Sequence, residues 1–456
     1  MSHRSLEDVL RAAPSPVTLL RNSQIGPYAF PVVPSEFTNW RDEQRSWRET
    51  CALFDQSHHM TDLYVEGPDA LKLLSDVAVN SFRGFTPGKA KQLVAVNYDG
   101  YVIGDAILFH LEQNRLVLVG RPPAANWVQF HAETGGYDVT VERDERSAVN
   151  RGRRKVYRFQ VQGPAAQAVM EKATGKPVPE IRFFNLGTFT IGRCNVRALR
   201  HGMVGQPGWE LFGPWEEGDE VRAAIIEAGR ELGLRQVGAR TYPTSTLESG
   251  WIPSPLPAVY TGERMRPYRE WLSATSYEAM ASLGGSFYSD DIEDYYLTPA
   301  DLGYGSIVKL DHEFIGRDAL ARAGEPRRAK VTLAWNGDDV TRVFGSLFGR
   351  SGTAGKYIDL PLANYATLPY DKVVKGGRTI GLSTYTGYSY NERSMLSLAI
   401  VDVEYATPGT EVTVVWGEEG GGSSKPTVER HAQVEIRATV GPAPYAEPAR
   451  TAYRPR

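Results

Sequence analysis

Two stretches about a hundred residues apart repeat one local plan, and that duplication constrains the fold more than any other feature of the chain. LYVEGPDALKLLSD, at 63–76, and VYRFQVQGPAAQAVMEKAT, at 156–174, each read as a strand, a Gly-Pro turn and a helix with apolar spacing. Two copies of one supersecondary unit imply related half-domains packed against each other, within an α+β architecture. Between them, Gln92–Leu111 and Val117–Val119 read as strands, with Asp99-Gly100 as the hairpin step. A further amphipathic helix is expected over Glu217–Leu232. From about Arg327 onward the chain is rich in alternating stretches such as GTEVTVVW, and a separate small barrel or jelly roll is expected there. GEEGGGSSKPT, Gly417–Thr427, reads as a flexible loop by composition.

A chain of 456 residues with 41% hydrophobic residues can bury several cores, and domain-size rules favour two to four domains. Its 51 basic and 54 acidic residues nearly cancel, so no broad positive field is offered to nucleic acid or anionic lipid. No apolar run approaches a membrane span, and the opening MSHRSLEDVLRAAP lacks the pattern of a signal peptide, so a cytoplasmic protein without membrane or nucleic-acid partners is expected. Nothing in the sequence fixes an oligomeric state. Cys51 and Cys194 are too few for a disulfide framework or an all-cysteine metal site, and both read as small buried hydrophobes. No metal-ligand spacing accompanies His58 or His59, and no metal is expected.

LFDQSHHM at Leu53–Met60 and FIGRDAL at Phe314–Leu320, together with NYDGYVIGDAILF, VQGPAA, GQPGWEL and TLESG in that order, resemble the glycine-cleavage T-protein superfamily of folate-dependent one-carbon transferases. The resemblance spans nearly the whole chain. It implies a three-domain cloverleaf around a central folate channel, with a C-terminal β-barrel or jelly-roll domain. The expected division is 1–50 with 138–255, 51–137 with 256–326, and 327–456. Within the superfamily, RNSQIGPYAFPVV, AKQLVAVNYDGYVIGD, VGRPPAANW, TLESGWIPSPLP and STYTGYSYNERS resemble the tetrahydrofolate-dependent aryl O-demethylases, which act on vanillate, 3-O-methylgallate and syringate. Two departures from the amine-transferring T-protein point the same way. Its GGVIDDLI becomes GYVIGDAI, with Gly104 in place of the first aspartate and Asp105 kept, and its VNAAN becomes VGRPPAAN, which introduces Arg121.

The resemblance implies methyl transfer from an aryl ether to tetrahydrofolate, and the chemistry dictates what the site must hold. The departing aryl oxygen resembles tyrosine, whose pKa is about 10, so a proton or strong hydrogen bond must meet it. Tyr242, His59 and Tyr28 are the candidate donors, with Tyr242 first because it lies in a segment lengthened relative to the T-protein. The plain alternative is that Tyr242 caps a strand against Pro243. Adjacent histidines on an extended segment face opposite ways; His59 fills the place of the family's single histidine, and His58 is taken as structural. Arg121 suits the benzoate carboxylate through two parallel hydrogen bonds, although a surface ion pair is an arginine's commoner fate. Gln56 and Phe30 complete the aromatic pocket.

For the cofactor, a carboxylate accepts both N–H groups at the pterin's pyrimidine edge, and Glu210 in GQPGWEL matches the family glutamate that does so. Asp105 is a second candidate for a folate ring nitrogen, and Trp251 offers a flat face along the channel or a core side chain. Syringate is favoured over vanillate because Phe30 replaces a tyrosine of the vanillate-type pattern, giving an apolar wall for a second methoxy group. Two other readings are a demethylase of amines or sulfonium compounds, and a non-catalytic folate-binding protein; the second is marked by KGCYxGQ, which has no counterpart here.

Overall fold

In the computed structural model, residues 4–150, 153–253, 255–349 and 352–451 are described. Three helices lead in: α1 (Leu6–Ala12), α2 (Pro16–Arg21) and α3 (Trp40–Glu49). Each starts where Ser5, Ser15 or Asn39 accepts a backbone N–H of the first turn, which satisfies a donor the helix cannot. Strand β1 (Cys51–Asp55) follows.

The duplicated plan extends well beyond strand, turn and helix. One copy runs β2 (Thr61–Glu66), α4 (Ala70–Asp76), β3 (Lys89–Val96), β4 (Val102–Glu112), β5 (Arg115–Gly120), α5 (Pro122–Thr134) and β6 (Thr140–Asp144). The other runs β7 (Val156–Gln162), α6 (Ala166–Thr174), β8 (Leu186–Ile191), β9 (Cys194–Arg200), β10 (Gly208–Pro214), α7 (Gly218–Gly229) and β11 (Leu234–Val237). The sheets order these strands alike: β6-β2-β5-β4-β3 in the first copy and β11-β1-β7-β10-β9-β8 in the second. The difference is β1, wedged between β11 and β7, parallel to the former and antiparallel to the latter.

Both Gly-Pro turns need their glycine. Gly67 and Gly163 have φ of +144° and +130°, and a Cβ would stand 2.4 Å from the Asp138 carbonyl oxygen and 2.6 Å from that of Thr50. Those same carbonyls accept the N–H of Asp69 and Ala165 as the helices begin. The hairpin expected at Asp99-Gly100 joins β3 to β4, and the helix expected over 217–232 is α7 with a single tight turn at each end.

After α8 (Ser245–Ser249), α9 (Arg266–Trp271) and α10 (Tyr277–Met280) comes the short β12 (Leu283–Gly284), and FIGRDAL opens α11 (Arg317–Arg322). Its place beside the NYDG hairpin explains the pairing of those motifs. Gly316, at φ +86°, lies against the Asn97 carbonyl, and Leu320 packs on Gly100. The C-terminal region is a closed barrel, β13-β17-β16-β15-β18-β19, built from β13 (Arg328–Trp335), β15 (Asp371–Lys375), β16 (Arg378–Ser389), β17 (Ser394–Asp402), β18 (Glu411–Trp416) and β19 (Val434–Gly441). The two-residue β14 (Leu368–Pro369) pairs instead with β12.

Strand pairing cuts the chain differently from the division expected above. β1, at 51–55, belongs with the sheet of 156–237, whereas β6, at 140–144, hydrogen-bonds to β2. Leu6, Val17 and Leu20 of the leading helices share a core with Leu63, Leu73 and Leu118, and so with the other unit. The 417–427 stretch is also more fixed than its composition implies. Glu418 pairs with Lys356 at 3.0 Å, Lys425 Nζ donates to the carbonyls of Leu283 and Arg21, and both charges are buried. Among the described residues no helix is long and apolar enough to cross a membrane.

Candidate active site

Because β1 is wedged into one sheet and runs on toward β2 of the other, the turn between them, Gln56–Met60, sits at the seam of the two units. Residues 57–59 form a turn rather than the extended segment expected, yet the two histidines still diverge. His58 Nδ1 meets Ser147 Oγ at 2.9 Å and its ring lies edge-on to Trp215, a satisfied structural role. The buried His59 packs its ring 4.6 Å from Phe30 and 4.9 Å from Tyr242, and its Nδ1 is buried without a partner. Burial first, then the charge of Arg121, holds its pKa well below the ordinary value, so the ring is neutral.

Tyr242 enters from the tight turn that follows β11, where its N–H and that of Thr241 both reach back to Gly238. The rings of Phe30, Phe54 and His59 surround it at 5.0, 5.2 and 4.9 Å. Its hydroxyl accepts from Gln56 Nε2 at 2.8 Å, which uses a lone pair and leaves the phenolic proton to give. Gln56 Oε1 is buried and unpaired. Burial raises the Tyr242 pKa above its usual value, and both Glu210 and Arg121 lie within electrostatic reach. The hydroxyl therefore stays protonated at neutral pH.

Arg121 ends β5 and forms the N-cap of α5, with its guanidinium carbon 4.2 Å from the ring centre of Tyr28. Burial raises the pKa of Tyr28, Asp105, Tyr242 and Tyr385 and lowers that of His59; the charge of Arg121 opposes the rise at the first four and adds to the fall at His59, so it acts on all five. Tyr28 itself is spoken for: its hydroxyl donates to the His59 carbonyl. That bond counts against the expected role of Tyr28 as a proton donor and makes it a floor for Arg121. Phe30 meets Tyr28 edge-on at 5.9 Å and is half-buried.

Asp105 lies on β4. Its Oδ2 accepts from Gln92 at 2.5 Å, from the Trp251 indole at 3.0 Å and from the Tyr304 hydroxyl at 3.0 Å, while among the described residues no hydrogen bond reaches Oδ1. Burial raises its pKa and the three donors oppose the rise. Trp251 is 37% exposed, so it is not a core residue. Gly104 faces the other way, since a Cβ there would come within 3.1 Å of the Ala124 amide in the first turn of α5. The missing first aspartate would thus have lain at the helix terminus, and its loss does not itself clear a charge from the Asp105 side.

Glu210, on β10, is 5% exposed, and its Oε1 takes the Arg158 guanidinium at 2.7 Å. Arg158 also reaches Asp62 at 3.2 Å, and Arg154 spans Asp62 and Asp144, so a buried chain of alternating charge backs the carboxylate. Among the described residues no donor reaches its Oε2. Sequence reasoning missed this chain as well as Gln92 and Tyr304; its members are scattered over five strands and loops, and no local pattern joins them.

Residues 23–254 match the family described as GCVT N-terminal domain. The chain is 52% identical to the syringate O-demethylase of Sphingobium sp. (strain NBRC 103272 / SYK-6), over 99% of this chain and 98% of that one. It is 32% identical to the sesamin methylene transferase of Sinomonas sp. (strain No.22), over 91% of each. Among solved structures, glycine cleavage system aminomethyltransferase T from Bartonella henselae matches with a TM-score of 0.59 at 20% identity, covering 92% of each chain, a likeness of fold.

Proposed function

The chain belongs to the glycine-cleavage T-protein superfamily through its GCVT N-terminal domain, and we propose that it moves the methyl group of a methoxy-hydroxybenzoate to tetrahydrofolate, giving a catechol-type acid and 5-methyltetrahydrofolate. Syringate is the favoured donor. The relative named for syringate supports that choice, as does the apolar wall made by Phe30. The observation that carries the reading is the Tyr242 hydroxyl, which keeps its proton, accepts from Gln56, and lies within reach of both Glu210 and Arg121.

The residues present fit a reduced folate. Glu210 offers an uncommitted carboxylate oxygen in a buried setting, Asp105 offers another, and Trp251 presents a partly open ring beside it. Bound tetrahydrofolate supplies the N5 amine that receives the methyl group. Glu210 would hold the pyrimidine edge, with Arg158 keeping the carboxylate aimed through its bond to Oε1. Arg121 would orient the aromatic acid by its carboxylate, and the rings of Phe30 and His59 would flank its plane. Tyr242 would then give its proton to the aryl oxygen as the bond to carbon breaks and regain one from the proton the methylated amine releases, while Gln56 holds the phenol in place. Positioning and one proton suffice for this step. Action in the cytoplasm, on small molecules alone, completes the proposal; the balanced charge of the chain supports the absence of nucleic-acid and anionic-lipid partners.

The test is mass analysis of the products formed by purified protein, tetrahydrofolate and either syringate or vanillate. The expected products are 5-methyltetrahydrofolate and the acid short of one methyl; their absence with both acids overturns the reading. In the same assay Phe30→Tyr should shift kcat/KM toward vanillate, and an unmoved ratio removes Phe30 from substrate choice.

A further inference from the structure

We propose that Arg146, together with Tyr277, forms the outer end of the aromatic-acid pocket, where a second guanidinium joins Arg121 in holding the substrate carboxylate. The inference rests on the methyl-transfer reading above and adds specificity-determining residues to it.

Two guanidinium carbons look onto one ring: that of Arg121 lies 4.2 Å from the centre of Tyr28, and that of Arg146 lies 5.1 Å from it. Arg146 hydrogen-bonds the Tyr28 side chain, but among the described residues no carboxylate lies within ion-pair distance of it, and its Nε is buried without a hydrogen-bond partner. The adjacent Glu145 gives no compensation, because it is taken by Arg143 and by the Thr61 hydroxyl. A half-buried cation without an acid is uncommon, and two cations over one phenol concentrate positive potential where an anion is wanted. Tyr277 adds a buried hydroxyl with no partner, its ring 6.4 Å from that of Tyr28. A carboxylate lying there would give each of these donors an acceptor.

The segment that carries Arg146 is held firmly to the active-site turn. Ser147 donates its N–H to the His58 carbonyl at 2.8 Å and its hydroxyl meets His58 Nδ1, so the arginine is placed by the same turn that places Gln56 and His59. The Tyr28 hydroxyl bonds the His59 carbonyl, so both guanidiniums on its ring stand beside the active-site turn. An acid whose methoxy group meets Tyr242 would point its carboxylate outward, toward the pair.

The experiment compares syringate with 2,6-dimethoxyphenol, which lacks the carboxylate, in the natural protein, Arg146→Met and Arg146→Lys. Arg146→Met should lose roughly 10- to 100-fold in kcat/KM for syringate, chiefly through KM, the scale of a lost charged hydrogen bond. Turnover of 2,6-dimethoxyphenol should fall far less than that of syringate, and Arg146→Lys should recover part of the syringate loss. Equal loss on both compounds would make Arg146 a support for Tyr28 only, and no loss on syringate would remove it from the pocket; either overturns the proposal. Should the natural protein methylate no folate, the methyl-transfer reading fails on its own. Calorimetry of syringate binding to the natural protein and Arg146→Met still decides the carboxylate contact, with equal affinities overturning it.

Discussion

A phenol serves as a proton donor only if it keeps its proton at working pH, and Tyr242 is enclosed by three rings that ensure this. Tyr242→Phe removes that proton while leaving the shape, so turnover should fall by roughly 10²- to 10⁴-fold with both substrates still bound. Single-turnover measurement of methyl transfer checks it, and an unaltered rate would pass the role to His59 or water. Because burial raises the phenol's pKa, the active protonated form should persist above pH 10 in the natural protein. At Glu210 the buried network changes which substitution is informative. Glu210→Ala would leave Arg158 with Asp62 alone and so disturb the fold as well as the site. Glu210→Gln keeps the shape and should weaken tetrahydrofolate binding by roughly 1.5–3 kcal/mol, read by calorimetry. An unchanged affinity would mean that the pterin edge is held elsewhere.

Elements meet here through motifs that the sequence shows but does not explain. Glu248, in TLESG on α8, takes four donors: the Trp47 indole and Arg48 of α3, and Ser389 and Asn391 of STYTGYSYNERS in the barrel. One buried carboxylate thus joins three elements just after Tyr242. Glu248→Ala should cost about 3–5 kcal/mol, measured by denaturant unfolding, because Arg48 and the polar groups around it lose their shared acceptor. Strands, hairpin and Gly-Pro turns were legible because their signals are local: alternation in Gln92–Leu111, the Asp99-Gly100 step, and glycines pressed on carbonyls. The wedging of β1 was not, since CALFD reads as any apolar strand and sheet order depends on partners a hundred residues away. Composition misled at 417–427 for the same reason, because the acceptors for Lys425 lie at 21 and 283. Of the candidate site, Gln56, His59, Arg121, Glu210 and Tyr242 are proposed from their motifs alone, whereas the contacts of Tyr304 and Gln92 to Asp105 are visible only in the structure.

The molecule as a whole is bound together by buried charge between barrel and sheets, and this has a pH signature. Burial, and then the charge of Arg21, push Lys425 from its ordinary 10.5 down to about 8. Between those values the unfolded chain holds the proton that the folded chain has released, so stability rises with pH across that window. The natural protein should gain stability from about pH 8 upward relative to Lys425→Met, measured as the difference in unfolding free energy at successive pH values; parallel curves would show that the ammonium loses no proton on folding. A different consequence follows from the two copies of one unit. Glu210, Gln56 and Tyr242 come from the copy that holds β1, while Asp105 and Arg121 come from the other. On the proposed assignments each copy thus lends one carboxylate to the carbon carrier and one or more groups to the donor, so a change of donor has to be negotiated on both sides of the duplication, by substitutions that spare Glu210 and Asp105.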